Sequence, residues 1–169
     1  MSNLNLKIKI IYMEKTNVMR KLDSLKIAHN EHFLGDDKNA ISGVEVANIL
    51  HQDVNRVFKT LVTVAKSNNH YVFMVPVAEE LDLKKAAASV HEKSLEMLHQ
   101  KDLLPLTGYV HGGCSPIGMK KQFKTVIHNT AANFETIYFS AGKIGYQVEL
   151  PYSSLQKVIR IEMADIIKE

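Results

Sequence analysis

Arg56 to Val77 reads RVFKTLVTVAKSNNHYVFMVPV, two apolar runs separated by Ser67, Asn68 and Asn69. β-Branched and aromatic residues dominate both runs, and such side chains suit a pleated, half-buried surface. The Ser-Asn-Asn cluster is turn chemistry, because asparagine tolerates a left-handed backbone and bonds its own chain. The stretch predicts an antiparallel hairpin, residues 56–65 against 70–77. One residue interrupts the pattern. Alternation from Val57 puts Lys59 on the side of Val57 and Leu61, the face that should be inside. A buried ammonium is costly without a partner. Two readings stay open: Lys59 snorkels out at the sheet end, or it aims its ammonium at a pocket.

Downstream, Thr107 to Lys121 reads TGYVHGGCSPIGMKK. Tyr109 and Val110 look like the end of a strand, Gly112 and Gly113 break it, and Pro116 and Gly118 hold a tight loop. Successive amides in such a turn can face an anion or a carbonyl oxygen. Ser115 adds a hydroxyl, and Lys120 and Lys121 follow. A rigid turn between two strands accounts for the same residues. Further on, ETIYFSA (residues 135–141) and residues 146–150 form a second hairpin. Its tip, Ser140 to Gly145, carries a hydroxyl, Lys143 and two glycines. Lys59, the first loop and this tip can converge, each offering donors to an ester carbonyl or a phosphate.

The remaining segments frame these hairpins. Asn17 caps a helix through Leu25, with Val18, Leu22 and Leu25 on one face, and residues 26–33 read as a polar strand. A loop spans residues 35–39. Ser42 with Glu45 forms a capping box for a helix ending near Gln52, with Val46, Ile49 and Leu50 inward. Asp82 caps a helix with Leu83, Ala86, Ala87 and Val90 inward and Lys84 and Lys85 solvated. Residues 92–99 read as a short helix with Leu95 and Leu98 inward and Met97 in the core; Pro105 ends that region. Residues 124–128 are a strand, Pro151 starts a helix, and residues 159–163 close the fold as a strand. Helices and strands in this order predict one α+β domain over residues 14–169. Residues 1–13 form an extension whose alternation of Leu4, Leu6, Ile8 and Ile10 also suits an edge strand.

Composition narrows the chemistry. The chain has 169 residues and a formal net charge of +3, which permits a polyanionic partner without demanding one. No apolar run is long enough to span a bilayer, and no secretory leader is apparent. The single cysteine, Cys114, excludes an intrachain disulfide and a zinc site built of cysteines, and favours a reducing, cytoplasmic setting. His29, Glu31 and His32 invite a metal reading. A strand would send the two histidines to opposite faces, with no third ligand near in sequence. A solvated strand is the plainer reading, and neither metal nor cofactor is expected. No Ser-His-Asp order stands out, and the glycine loop lacks the spacing and terminal Lys-Ser/Thr pair of a phosphate loop. Cys114, near Lys120 and Lys121, is either an activated nucleophile or a small buried hydrophobe.

The segments VFKTL (Val57 to Leu61), VPVAEELDLKK (Val75 to Lys85), TGYVHGGCSPIGMKK and IYFSAGKIG (Ile137 to Gly145) resemble the bacterial YbaK family, in order and spacing, from about Val18 to the C-terminus. These are free-standing deacylases of misacylated tRNA, related to the editing domain of bacterial prolyl-tRNA synthetases. The resemblance is stronger to the Cys-tRNA(Pro) branch than to the Ala-tRNA(Pro) branch. It implies a mixed, mostly antiparallel barrel-like sheet surrounded by helices. It also implies catalytic roles for Lys59, Ser140, Gly112 and Gly113. Substrate contacts would come from Asn30, Ser115, Pro116, Gly118, Lys120, Lys121, Gly142, Lys143 and Gly145. The implied partner is aminoacyl-tRNA, chiefly Cys-tRNA(Pro), with prolyl-tRNA synthetase as a second partner and no membrane. Departures are visible. A family tyrosine of the first strand has no clean match, Asn30 or Glu31 standing in its neighbourhood, and an arginine of the second loop is replaced by Ile144. Cys114 stands where the family often has isoleucine, which argues against a protein thiol nucleophile. In the family the thiol of the cysteinyl substrate is thought to attack its own ester and leave as a thiolactone. The competing reading is a tRNA- or nucleotide-binding module that kept the fold and lost turnover.

Overall fold

The computed structural model describes residues 14–34 and 42–169; the expected extension at 1–13 and the loop at 35–39 lie outside the described residues. In chain order the elements are α1 (Asn17–Ser24), β1 (Asn30–Phe33), α2 (Gly43–Ile49), β2 (Phe58–Ala65), β3 (His70–Pro76), α3 (Leu83–Ser89), β4 (Leu95–Met97), α4 (Gln100–Thr107), β5 (Lys124–His128), β6 (Ile137–Ser140), β7 (Tyr146–Leu150), α5 (Tyr152–Leu155) and β8 (Ile161–Ala164).

The hairpin that opens the sequence reading is present. β2 and β3 pair antiparallel from Phe58↔Pro76 to Val64↔His70, and Asn68 takes a left-handed φ of 68° in the turn. They sit inside a five-stranded sheet ordered β4-β2-β3-β5-β8. β4 joins antiparallel, whereas β5 and β8 run parallel to their neighbours. β3 is therefore central and buried on both faces. Phe73 and Val75 pack with Ala86 and Ala87 of α3, while Val72 and Met74 face the opposite side. Its near-continuous apolar run reflects that placement. The second sheet, β1-β7-β6, is antiparallel throughout. A parallel bridge between Val57 and Tyr138 ties the two sheets together. Phe58, Met74, Ile127, Phe139, Val148 and α1's Met19 and Leu22 fill the core between them. The architecture is α+β with a mixed, mostly antiparallel sheet flanked by helices.

Several local expectations are corrected. Thr16, rather than Asn17, caps α1, and its hydroxyl accepts from the Met19 amide. Lys26 adopts φ 56°, which breaks the chain before β1, so the strand begins only at Asn30. Ser42 does cap α2 by accepting from Glu45 N. Ala47 carries that helix's buried face, while Ile49 is 50% exposed because the helix ends there. The predicted helix at 92–99 is instead β4: His91 at φ 58° ends the preceding turn, and β2 offers an edge at Thr63–Ala65. Met97 is consequently 42% exposed rather than core. α4 includes Pro105, where the sequence predicts a break, and is ended by Gly108 in the left-handed region. Tyr109 and Val110 therefore follow a helix rather than closing a strand. Lys85 is not simply solvated; its ammonium pairs with Asp165 at 3.1 Å and donates to Ile167 O. No helix among the described residues is long and apolar enough to cross a membrane.

Candidate active site

β4 pairs with β2 only at Thr63, Val64 and Ala65. The first half of β2 is thus left with an edge uncovered by β4, and a cavity of about 270 Å³ lies against it. Val57 to Leu61 form one wall. Ser42, Gly43 and Val46 at the start of α2 form another. The remaining wall comes from Leu103 of α4, the loop residues His111, Gly112 and Cys114, and Ser140, Gly145 and Gln147 of the second hairpin. The three features singled out in the sequence meet here. No carboxylate lines the cavity among the described residues.

Lys59 is half-buried, on the face of Leu61, with no hydrogen bond or ion pair to the described residues. Desolvation draws its pKa below the ordinary lysine value, and the charges of Glu80 and Glu79 oppose that shift. An unpartnered ammonium in an apolar wall is suited to a carbonyl or phosphate oxygen from a ligand. Ser140 accepts from the Gly142 amide at 3.1 Å, which leaves its own hydroxyl proton available. The Cys114 thiol is buried and its pKa is pushed up to about 12, so it is a neutral thiol near pH 7. Thr60 Oγ1 is buried without a partner, and Gln147 Oε1 accepts from Gln52 Nε2 at 2.7 Å. Thr60, Gln147 and His111 were not singled out from the sequence. A polar residue in an otherwise apolar strand, and an imidazole just before a glycine pair, were the available signals.

Other expected site residues shape the walls from behind. Ser115 is fully buried and its hydroxyl accepts from Ile117 N, with Pro116 buried beside it. Gly118 and Gly142 flank the Tyr109 ring. A Cβ on Gly118 would stand 2.8 Å from the Tyr109 hydroxyl, and one on Gly142 would stand 2.8 Å from the ring carbon Cε1. Both glycines have positive φ, 79° and 91°. Tyr109 therefore locks the first loop to the hairpin tip, and only glycine gives the clearance. Gly113 approaches the tip as well, its would-be Cβ 3.1 Å from Ile144 N.

The expected cations stand off the cavity lining. Lys120 donates to Pro105 O, Lys121 lies over the Phe123 ring, and Lys143 pairs with Glu14. Asn30 is exposed on β1 and donates to Glu149, away from the cavity. Of the histidines read for metal, His32 binds Glu149 while His29 joins Glu31 at 2.9 Å. Asp23 of α1 comes within reach of that second pair, a third group the sequence reading did not supply. The Lys15 ammonium lies 2.8 Å from both Asp23 and Glu31 and offsets one of their two negative charges.

Comparison with known proteins places the chain among relatives. Residues 38–158 match the aminoacyl-tRNA editing domain. EbsC of Enterococcus faecalis, a candidate Cys-tRNA(Pro)/Cys-tRNA(Cys) deacylase, is 42% identical over 153 residues, covering 90% of this chain and 93% of the relative. Among solved structures, a candidate trans-editing enzyme for prolyl-tRNA synthetase superposes with a TM-score of 0.79 at 19% identity, over 93% of this chain and 100% of the other. The hypothetical protein APE2540 superposes at 0.78 with 16% identity, over 89% and 99%. The last two likenesses speak for the fold alone. The length of the family match and the identity to EbsC decide the matter: the chain belongs to the YbaK-type aminoacyl-tRNA editing domain family.

Proposed function

We propose that the protein is a trans-acting aminoacyl-tRNA deacylase that releases cysteine from mischarged Cys-tRNA(Pro). The observation that carries the reading is Lys59: an unpartnered, half-buried ammonium lining a cavity with no carboxylate among the described residues. That arrangement receives the oxygens of an ester and its terminal nucleotide, with charge drawn onto the ester oxygen. The kinship with EbsC, a candidate Cys-tRNA(Pro)/Cys-tRNA(Cys) deacylase, points to the same substrate class. The cavity has room for an aminoacyl group, so the body of the tRNA would stay outside, near Lys120 and Lys121. Gly112 and Gly145 on the cavity wall let backbone approach the ester closely.

With Cys114 a neutral thiol, the nucleophile of choice is the substrate's own sulfur, held next to its ester carbonyl. The proposal is tested by release of labelled amino acid from Cys-tRNA(Pro) at catalytic protein concentration, with Ser-tRNA(Pro) as the thiol-free control. Multiple turnovers on the cysteinyl ester with the seryl ester spared is the expected result. Stoichiometric retention of the tRNA without release would favour a binding module instead, a reading to which the uncharged, 37% exposed Ile144 at the hairpin tip lends itself. Cys114→Ala is expected to keep most of the activity. A loss of about 100-fold in a folded variant would instead restore a protein nucleophile.

A further inference from the structure

We propose that His111 is the proton-transfer residue of this cavity, a role that rests on the deacylase reading above. The titratable side chains lining the cavity among the described residues are Lys59, His111, Cys114 and Tyr146. Lys59 holds the ester oxygens. Cys114 is buried as a neutral thiol in the apolar cluster under α4. The Tyr146 ring packs in the core, and its hydroxyl accepts from the backbone of Glu14. His111 alone offers an accessible imidazole, whose ring nitrogens can both accept and donate a proton.

Its placement is built into the loop. Gly113 N donates to Val110 O at 3.0 Å, closing a four-residue turn with His111 and Gly112 at its corners. Gly112 takes φ +84°, the angle that the third position of a type II turn requires. A Cβ on Gly112 would meet little, the nearest atom being Ile144 Cγ1 at 3.8 Å, so the glycine serves the backbone angle rather than clearance. The turn holds the histidine at the cavity rim. The exposed imidazole makes no hydrogen bond to the described residues, whereas His29 and His32 are each engaged with a carboxylate. Among the described residues nothing engages it ahead of a substrate.

The step balances without a co-reactant. The imidazole takes the proton of the cysteinyl thiol. The sulfur attacks the ester carbonyl carbon, a carbon–sulfur bond forms, and the ester carbon–oxygen bond breaks. The imidazolium then returns its proton to the departing ribose oxygen. The products are the four-membered thiolactone, the tRNA hydroxyl and neutral His111. Water opens the thiolactone afterwards.

Single-turnover release from Cys-tRNA(Pro) is measured from pH 5.5 to 9 with wild type, His111→Gln, His111→Ala and Lys59→Ala, all as the full chain. The glutamine variant is expected to lose about 10²-fold near pH 7, together with the acidic limb of the profile. Added imidazole is expected to restore part of the activity of His111→Ala. A glutamine variant within about threefold of wild type, or one that falls but keeps the acidic limb with no imidazole rescue of the alanine variant, overturns the assignment. An inactive Lys59→Ala beside such a result leaves the deacylase reading standing. A wild type that releases nothing overturns both.

Discussion

Lys59→Ala is expected to reduce single-turnover deacylation of Cys-tRNA(Pro) by about 10²–10³-fold or more, with an unchanged circular dichroism spectrum. Truncating one member of a buried ion pair usually destabilises a protein because the other charge is left stranded. Lys59 has no such partner: no carboxylate among the described residues lies within ion-pair distance, and Glu80 is already paired with Lys168 at 3.0 Å. Removing the ammonium also removes its desolvation cost, so the fold should keep its stability. Lys59→Arg should rescue poorly, since a planar guanidinium is broader than the ammonium the wall accommodates. Near-normal turnover by a folded Lys59→Ala protein would take this lysine out of the mechanism.

Gly142→Ala is expected to have the largest effect on stability, about 2–5 kcal/mol. Two costs combine: a left-handed backbone without glycine, about 1–2 kcal/mol, and overpacking, about 1–3 kcal/mol. The new Cβ would stand 2.8 Å from Tyr109 Cε1 and 3.2 Å from Val18 Cγ2, at φ +91°. Thermal denaturation should show the midpoint lowered by roughly 4–20 °C. In a Tyr109→Ala background the added cost of Gly142→Ala should be smaller, because the ring is gone, though the backbone strain would remain. An unchanged midpoint in Gly142→Ala would mean that Tyr109 does not hold the two loops together.

The strands that turned out legible are those whose partners are close in sequence. β2–β3 and β6–β7 carry both their alternation and their turn residues locally, so the pattern and the pairing coincide. β4 was not legible: Leu95 to Met97 becomes a strand only because β2 presents an unfilled edge far upstream. α4 was hidden by Pro105, whose missing donor is tolerated in an eight-residue helix. In the site, Lys59 announced itself by breaking an apolar pattern. Gly118 and Gly142 looked like ligand contacts, yet their conformations answer to Tyr109. A glycine's sequence context reports that space is needed without saying whether a ligand or a neighbouring ring fills it. Asn30 stood near the right motif, but the register of β1 with β7 sets it against Glu149, further along the strand than the cavity-lining Gln147.

The parallel run of β3, β5 and β8 also bears on how quickly the chain can reach its native state. β3 ends at Pro76 and β5 begins only at Lys124, with α3, β4 and α4 between them. The hairpin of β2 and β3 closes over a short turn, whereas the pairing of β3 with β5 closes a long loop, whose entropy is lost before any contact compensates. Until β5 arrives, one hydrogen-bonding edge of β3 has nothing to pair with. The expected slow stage is therefore the docking of β5, and the species that precedes it is the one most exposed to aggregation during synthesis.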